Sequence, residues 1–294
     1  MAEVFTSSLY YGKQLQSVNG SSTRKQFAQH WLRSDKALNQ IIAAAELSKG
    51  DRLLEIGPGT GILTRRLLPL AESVVAVEID RDLCKLLAKQ LGKIDNFLLL
   101  QGDFLSLDLD AHLAALPNFQ NPHKVVANIP YNITGPILEK LLGTIACPAA
   151  KPFEAIVLLV QKEVAERLYA QPGSRAFGAW SVRVQYLAEC ELICNVPAAA
   201  FYPPPKVDSA VVRLRPRLFS PAAVEPRRLE SLVKLGFAEK RKMLRNNLKS
   251  IVERDRLTHL LEQLDINPQA RAEDLSVAQW VALSNILALC ATTP

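Results

Sequence analysis

No apolar run in the 294-residue sequence reaches membrane-spanning length, which excludes a bilayer-crossing helix and leaves no reason to expect a membrane partner. Cysteine is scarce, and none of the five (Cys84, Cys147, Cys190, Cys194 and Cys290) forms a C-x-x-C pair. Cys190 and Cys194 have no histidine at ligand spacing, and His112 and His123 have no ligand-type neighbour, so no metal is expected. The thiols read as reduced and structural, and His112 and His123 as loop surface. No internal repeat or low-complexity tract is present, which removes solenoids from consideration. Residues 1–23 lack both a signal-peptide core and a basic cluster, with Lys13 the lone cation before Arg24. A flexible tail over 1–23 in a cytoplasmic protein is the expectation; an organelle-targeting remnant is the competing one.

What is present points to a large α/β domain with a smaller companion. Nearly half of the residues are apolar, enough for a sizeable core. A net charge of +6 and a pI near 9.1 favour polyanionic partners without requiring them. Arg24 to Leu32 is basic and then aromatic, and it precedes a helix whose apolar face is Leu38, Ile41, Ile42, Ala45 and Leu47, capped by Ser34 or Asp35. Leu53 to Ile56 reads as a strand entering Gly57-Pro58-Gly59-Thr60-Gly61, followed by a helix from about Ile62 to Leu70. Glycines there let the backbone approach a ligand closely. The spacing G-x-G-x-G differs from the dinucleotide fingerprint G-x-G-x-x-G.

About 20 residues on, a second strand, Val74 to Val77, ends in Glu78-Ile79-Asp80, where such folds place an acid that accepts from ribose hydroxyls. Asp80 caps a helix through Leu91. A third strand, Phe97 to Leu100, ends at Gln101-Gly102-Asp103, and the Asp103 carboxylate can accept from an exocyclic adenine amine. Glycine loop and acid in register predict a nucleoside-bearing cofactor.

A fourth strand, Val125 to Ala127, runs into Asn128-Ile129-Pro130-Tyr131 at the carboxyl edge of the predicted parallel sheet. An amide oxygen and a backbone carbonyl can accept from a planar amine while the Tyr131 ring stacks on the base, which suits methylation of an adenine amino group. The same tetrapeptide is also ordinary turn chemistry.

A helix over 133–142, a central strand over 155–160 and a helix opening at Lys162 follow. Gln171 to Gly178 reads as a mobile lid or as a plain connection. Two more strands, around 190–196 and 207–214, flank Phe201-Tyr202-Pro203-Pro204-Pro205-Lys206. This stiff loop can hold Phe201 against a flipped base and Lys206 on a phosphate, or can serve as a structural corner. Beyond a linker near Ser220-Pro221 and Pro226 only helices are expected, over about 228–237, 241–252, 256–264 and 277–289. Lys240, Arg241, Lys242, Arg245 and Lys249 would share the second of them, as a phosphate-reading face or a solvated one.

Taken together, the Gln29-His30-Trp31-Leu32 arm, Glu55 to Thr64, Val77 to Asp80, Gly102-Asp103, Asn128 to Tyr131, Gln161 to Leu168 and Phe201 to Val211 resemble the KsgA-type ribosomal RNA adenine dimethyltransferases, from about Arg24 to Leu289. The resemblance implies a seven-stranded Rossmann-like methyltransferase sheet with an all-helical C-terminal domain. It implies a catalytic domain over 24–217 and helical RNA recognition over 218–294. The implied activity is S-adenosylmethionine-dependent N6,N6-dimethylation of two adjacent adenosines near the 3′ end of small-subunit ribosomal RNA, met within a 30S assembly particle by a monomer. His30, Leu32, Gly57, Gly59, Glu78, Asp103 and Asn128 fall on the family's cofactor contacts. Asn128, Pro130 and Tyr131 fall on its catalytic loop, and Phe201 on the aromatic proposed to stack on the target. Ala28, Trp31 and the Phe177-Gly178-Ala179-Trp180 stretch depart from the usual pattern. A related group that methylates large-subunit RNA shares the Asn-x-Pro-Tyr loop. Gly57 to Gly61 and Arg271-Ala272-Glu273 before Leu275-Ser276 look more like the small-subunit group. A non-catalytic binding role on the same fold is the alternative of a different class.

Overall fold

The computed structural model describes residues 3–5 and 30–289. Most of the expected tail and the Arg24 to Gln29 part of the arm lie outside the described residues, as does Cys290. Within the expected tail, β1 (Glu3–Phe5) is a strand, paired antiparallel with the third strand of the sequence reading. The seven strands expected of the main sheet are present, and β1 adds an eighth at its edge. The open backbone edge it covers is what such a sheet leaves unsatisfied.

In chain order come β2 (Trp31–Leu32), α1 (Asp35–Ala45), β3 (Arg52–Ile56), α2 (Thr64–Leu67), β4 (Ser73–Glu78), α3 (Arg81–Leu91), β5 (Phe97–Gln101), α4 (Leu109–Leu113), β6 (Lys124–Asn128), α5 (Thr134–Leu142) and β7 (Ala155–Gln161). Then follow α6 (Lys162–Tyr169), α7 (Ala179–Leu187), β8 (Ala188–Val196), β9 (Phe201–Tyr202) and β10 (Ser209–Pro216). Four helices close the chain: α8 (Pro226–Gly236), α9 (Leu244–Asn247), α10 (Arg254–Gln263) and α11 (Val277–Leu289). The sheet order is β1-β5-β4-β3-β6-β7-β10-β8, and β2 pairs with β9 in a separate ribbon.

β3, β4, β5, β6 and β7 are mutually parallel, and β10 runs antiparallel to β7. Leu53, Val74, Ala76, Leu99, Val126, Val157 and Leu159 share a core with apolar residues of α1, α2 and α3. Their sequence neighbours Leu54, Val75, Leu98, Val125, Ile156 and Leu158 are equally inaccessible. Both faces of the sheet are therefore covered, and this is why its strands read as unbroken apolar runs. The chain leaves β3 toward β4 on one side, and β6 arrives on the other. The strand order reverses there, so the crevice at the carboxyl ends of β3 and β6 is where an open parallel sheet binds ligands.

α2 stops at Leu67, short of Leu70: Leu68 still has helical backbone, but Pro69 has no N–H with which to continue the helical hydrogen bonds. The 241–252 helix is only α9. Met243 is extended and bridges Arg271, and the Leu244 N–H donates to the Ala270 carbonyl at 2.9 Å, so tertiary pairing overrides local helix propensity. The basic cluster consequently runs over a turn and one helical turn. His123 does not stand free on a loop surface: its Nε2 lies 3.0 Å from Asp51 Oδ1, and Lys124 Nζ donates to Oδ2 of the same carboxylate at 2.8 Å.

The chain divides into two compact units, 1–140 with 152–165 and 191–215, and 141–151 with 166–190 and 216–294. The second takes in two segments that the sequence reading assigned to the catalytic domain. In it α8 packs on α11, α9 and α7, around Trp280, which is fully buried. A Cβ added to Gly236 would stand 2.3 Å from the Trp280 ring, so only glycine fits where α8 meets that indole.

Candidate functional site

A cavity of about 250 Å³ opens at the β3/β6 crevice, entirely within the first unit. Its floor is the loop after β3. Gly57, Gly59 and Gly61 all have φ between +59° and +77°, a region closed to most side chains, so the loop needs glycine at each turn. Gly57 is tied to the sheet by its N–H to the Val77 carbonyl at 2.9 Å. A Cβ at Gly59 would meet the Trp31 indole at 3.7 Å, which shows how closely the arm lies over this loop.

Glu78 ends β4 and is 5% exposed. Its Oε2 accepts from Gly59 N–H at 3.1 Å and its Oε1 from Asp80 N–H at 2.9 Å, so the acid and the glycine loop are built as one piece. Burial pushes its carboxyl up, against the pull of these N–H donors. Asp80 caps α3 as expected, accepting from the N–H groups of Asp82 and Leu83. Asp103 is exposed at the cavity wall; its Oδ1 accepts from Leu105 N–H at 2.9 Å, and the loop is pinned by Lys140 Nζ donating to the carbonyls of Phe104, Leu105 and Leu107.

At the opposite wall, Asn128 ends β6 and lines the cavity with a side chain that has no hydrogen-bond partner among the described residues. The Pro130 carbonyl accepts from Ile133 N–H at 3.3 Å, a long bond that leaves a lone pair for a second donor. Tyr131 is anchored at its far end, where its hydroxyl meets Ser209 Oγ at 2.6 Å. Its ring stacks against His30, centroids 6.0 Å apart. His30 in turn has Nδ1 2.8 Å from the Pro203 carbonyl oxygen. The structure thus brings His30, Leu32, Gly57, Gly59, Glu78, Asp103, Asn128, Pro130 and Tyr131 to one cavity.

Phe201 is not brought there. It is 4% exposed, paired with Leu32 across the β2–β9 ribbon and packed in the core with Leu38, Val196 and Val211. In this arrangement it positions the arm and presents no ring face to a base.

Two cavity residues were not singled out from sequence. Ile79 is 49% exposed beside Glu78 and offers an apolar face to a flat ligand. Glu55, 1% exposed in β3, has an Oε2 with no partner among the described residues, and burial pushes its carboxyl up to about 8. An acid in the apolar run Leu53 to Ile56 was the available signal, since a buried charge calls for a partner. The orphaned oxygen and the glycine cradle fit a ligand carrying a donor or a cation.

The sign of the Glu55 effect is testable. Folded protein holds a proton that the unfolded chain has released, so stability falls as pH rises from about 4.5 toward about 8. Glu55→Gln should remove that decline. Thermal melts of ligand-free protein from about pH 5 to about pH 9 are expected to show the variant several degrees more stable at the alkaline end, with the gap closing toward acid. An unchanged pH slope would mean that Glu55 is ionised in the cavity.

The chain is similar to known proteins over most of its length. The sequence matches the family described as ribosomal RNA adenine dimethylase over residues 20–289. It is 74% identical over 272 residues to the ribosomal RNA small subunit methyltransferase A of Nostoc punctiforme, covering 90% of this chain and 95% of that one. The protein of the same name from Trichormus variabilis is also 74% identical, over 264 residues, with 90% and 97% covered. Among solved structures, a dimethyladenosine transferase from Plasmodium falciparum superposes with a TM-score of 0.71 at 29% identity, covering 86% of this chain and 96% of that one. The 23S rRNA methyltransferase ErmE gives 0.69 at 30% identity, with 88% and 99% covered.

Proposed function

The chain belongs to the ribosomal RNA adenine dimethylase family, and from that membership and its cavity we propose that it methylates N6 of two adjacent adenosines in the 3′-terminal hairpin loop of 16S ribosomal RNA, twice each, during small-subunit biogenesis. The methyl donor is S-adenosylmethionine, which supplies an electrophilic methyl group on a sulfonium. Glu78 would hold its ribose, Asp103 and Ile79 its adenine, and Glu55 its cationic end, while His30 and Leu32 close the arm over it. The 74% identity to small-subunit enzymes, against 30% to a 23S enzyme, supports the small-subunit substrate.

The observation that carries the activity is the Asn128 amide, without a hydrogen-bond partner among the described residues, on the same cavity as Pro130, Glu78 and Asp103. The N6 lone pair of adenine is delocalised into the ring, so the amine is a poor nucleophile while planar. Two acceptors, Asn128 Oδ1 and the Pro130 carbonyl oxygen, hold its two protons and draw it toward tetrahedral geometry. They also stabilise the positive charge that develops on nitrogen. No strong base is needed, because the methylated cationic amine loses its proton to water. Tyr131, fixed at its hydroxyl by Ser209, offers its ring to the base.

The RNA is met in a 30S assembly particle by a monomer in the cytoplasm. Residues 218–294 supply RNA recognition, with Lys240, Arg241, Lys242 and Lys249 exposed to phosphates. Incubation with labelled S-adenosylmethionine and undermethylated small and large subunits, followed by RNA digestion, tests the whole reading. Dimethyladenosine in the small-subunit 3′ hairpin is expected. Label in large-subunit RNA would assign the chain to the other substrate group, and cofactor binding without label would make it a binding protein.

A further inference from the structure

The substrate carries two adenosines side by side, while Asn128, Pro130 and Tyr131 form one amine-binding site. Outside that site, Tyr202 and Arg33 form a cation–ring pair. Tyr202 is 53% exposed, among the most exposed aromatic surface of the described residues, and the Arg33 guanidinium lies 4.1 Å from its ring centroid. An exposed tyrosine held against an arginine plane is the chemistry on which single-stranded nucleobases stack.

Its position follows from the ribbon. Trp31 and Tyr202 are direct cross-strand partners, so their side chains share one face of the β2–β9 pair, and Arg33, two residues from Trp31, shares it as well. The alternate residues Leu32 and Phe201 face the core, at 5% and 4% exposure. Trp31 lines the cavity against Gly59, so the Tyr202 ring shares its face with a cavity residue while standing outside the cavity lining. The backbone is held on both flanks: Arg33 N–H donates to the Ala200 carbonyl at 2.8 Å, and the Pro203 carbonyl oxygen lies 2.8 Å from His30 Nδ1. His30 stacks on Tyr131, so the platform and the catalytic loop are joined through one ring.

We propose that Tyr202 and Arg33 form a stacking platform for the nucleobase next to the adenosine whose amine is in the Asn128 site. It holds the second target, or the base that flanks the pair, while the first reacts, and Arg33 adds a charge for the intervening phosphate. This rests on the RNA-methylation reading above. Tyr202 and Arg33 are positioning residues for substrate, with no part in methyl transfer.

The test is steady-state methylation of undermethylated small subunits at saturating cofactor. Tyr202→Ala is expected to raise KM for the subunit by about tenfold, as loss of one base–aromatic stack does, with a much smaller change in kcat. Tyr202→Phe restores the wild-type KM, because the ring and not the hydroxyl carries the stack. Arg33→Ala raises KM as well, and the Tyr202→Ala/Arg33→Ala double variant is less impaired than the product of the two singles, because both remove one platform. Titration of each variant with S-adenosylmethionine checks that the arm still folds over the cofactor, and affinity within about threefold of wild type is expected. A wild-type KM in Tyr202→Ala with intact cofactor binding overturns the platform, as does a Tyr202→Phe variant no better than Tyr202→Ala. Absence of methylation by the wild-type protein would instead overturn the functional reading on which the platform rests.

Discussion

Asn128→Ala should slow both methyl transfers by about 10²–10³-fold, the loss seen when one preorganised group aimed at developing charge is removed. The side chain lines the cavity and has no hydrogen-bond partner among the described residues, so its truncation breaks no structural bond. Single-turnover methylation at saturating S-adenosylmethionine isolates the transfer step from any weakening of cofactor binding. The first transfer loses one of two acceptors. The second starts from an amine with one N–H left, and a build-up of monomethyladenosine would show that Asn128 holds that remaining proton. Near-normal dimethylation by the variant would remove Asn128 from the chemistry altogether.

Glu78→Gln should weaken S-adenosylmethionine binding by about 10²-fold, or roughly 2–3 kcal/mol, in calorimetric titration. Both carboxylate oxygens already accept a backbone N–H, from Gly59 and from Asp80, and still carry lone pairs for a ribose diol. An amide replaces one acceptor with a donor, so in either orientation the new side chain would set its NH₂ against one of those two N–H groups. The variant therefore loses a bond to the ligand and disturbs the loop that cradles it. Because burial raises Glu78 above the ordinary carboxylate range, affinity in the wild type should also weaken on acidification sooner than an exposed acid would allow. Wild-type affinity in Glu78→Gln would place the ribose elsewhere.

The features that sequence exposed are those with a short-range physical signature. Buried parallel strands appear as apolar runs, and the residues just past their ends, Gly57, Glu78, Asp103 and Asn128, fall at one edge because parallel strands all finish on the same side. What sequence hid depends on partners distant in the chain. α7 buries Ser181, Val182, Val184, Tyr186 and Leu187, which form no single helical stripe, so its periodicity is weak. The β2–β9 ribbon joins residues about 170 apart, and it was this pairing that turned Phe201 inward and Tyr202 outward. A two-residue strand gives no alternation to read. α9 lost its predicted length to the bridge between Met243 and Arg271.

That late pairing also divides the site by position in the chain. All of the cavity lining lies between His30 and Ile133, in the first half of the chain. The strand that secures the arm and the hydroxyl that fixes Tyr131 arrive only with Phe201, Tyr202 and Ser209. Closing the arm and anchoring the catalytic loop therefore depend on residues that follow the whole cavity lining in the chain. Catalysis waits on the last strands of the sheet.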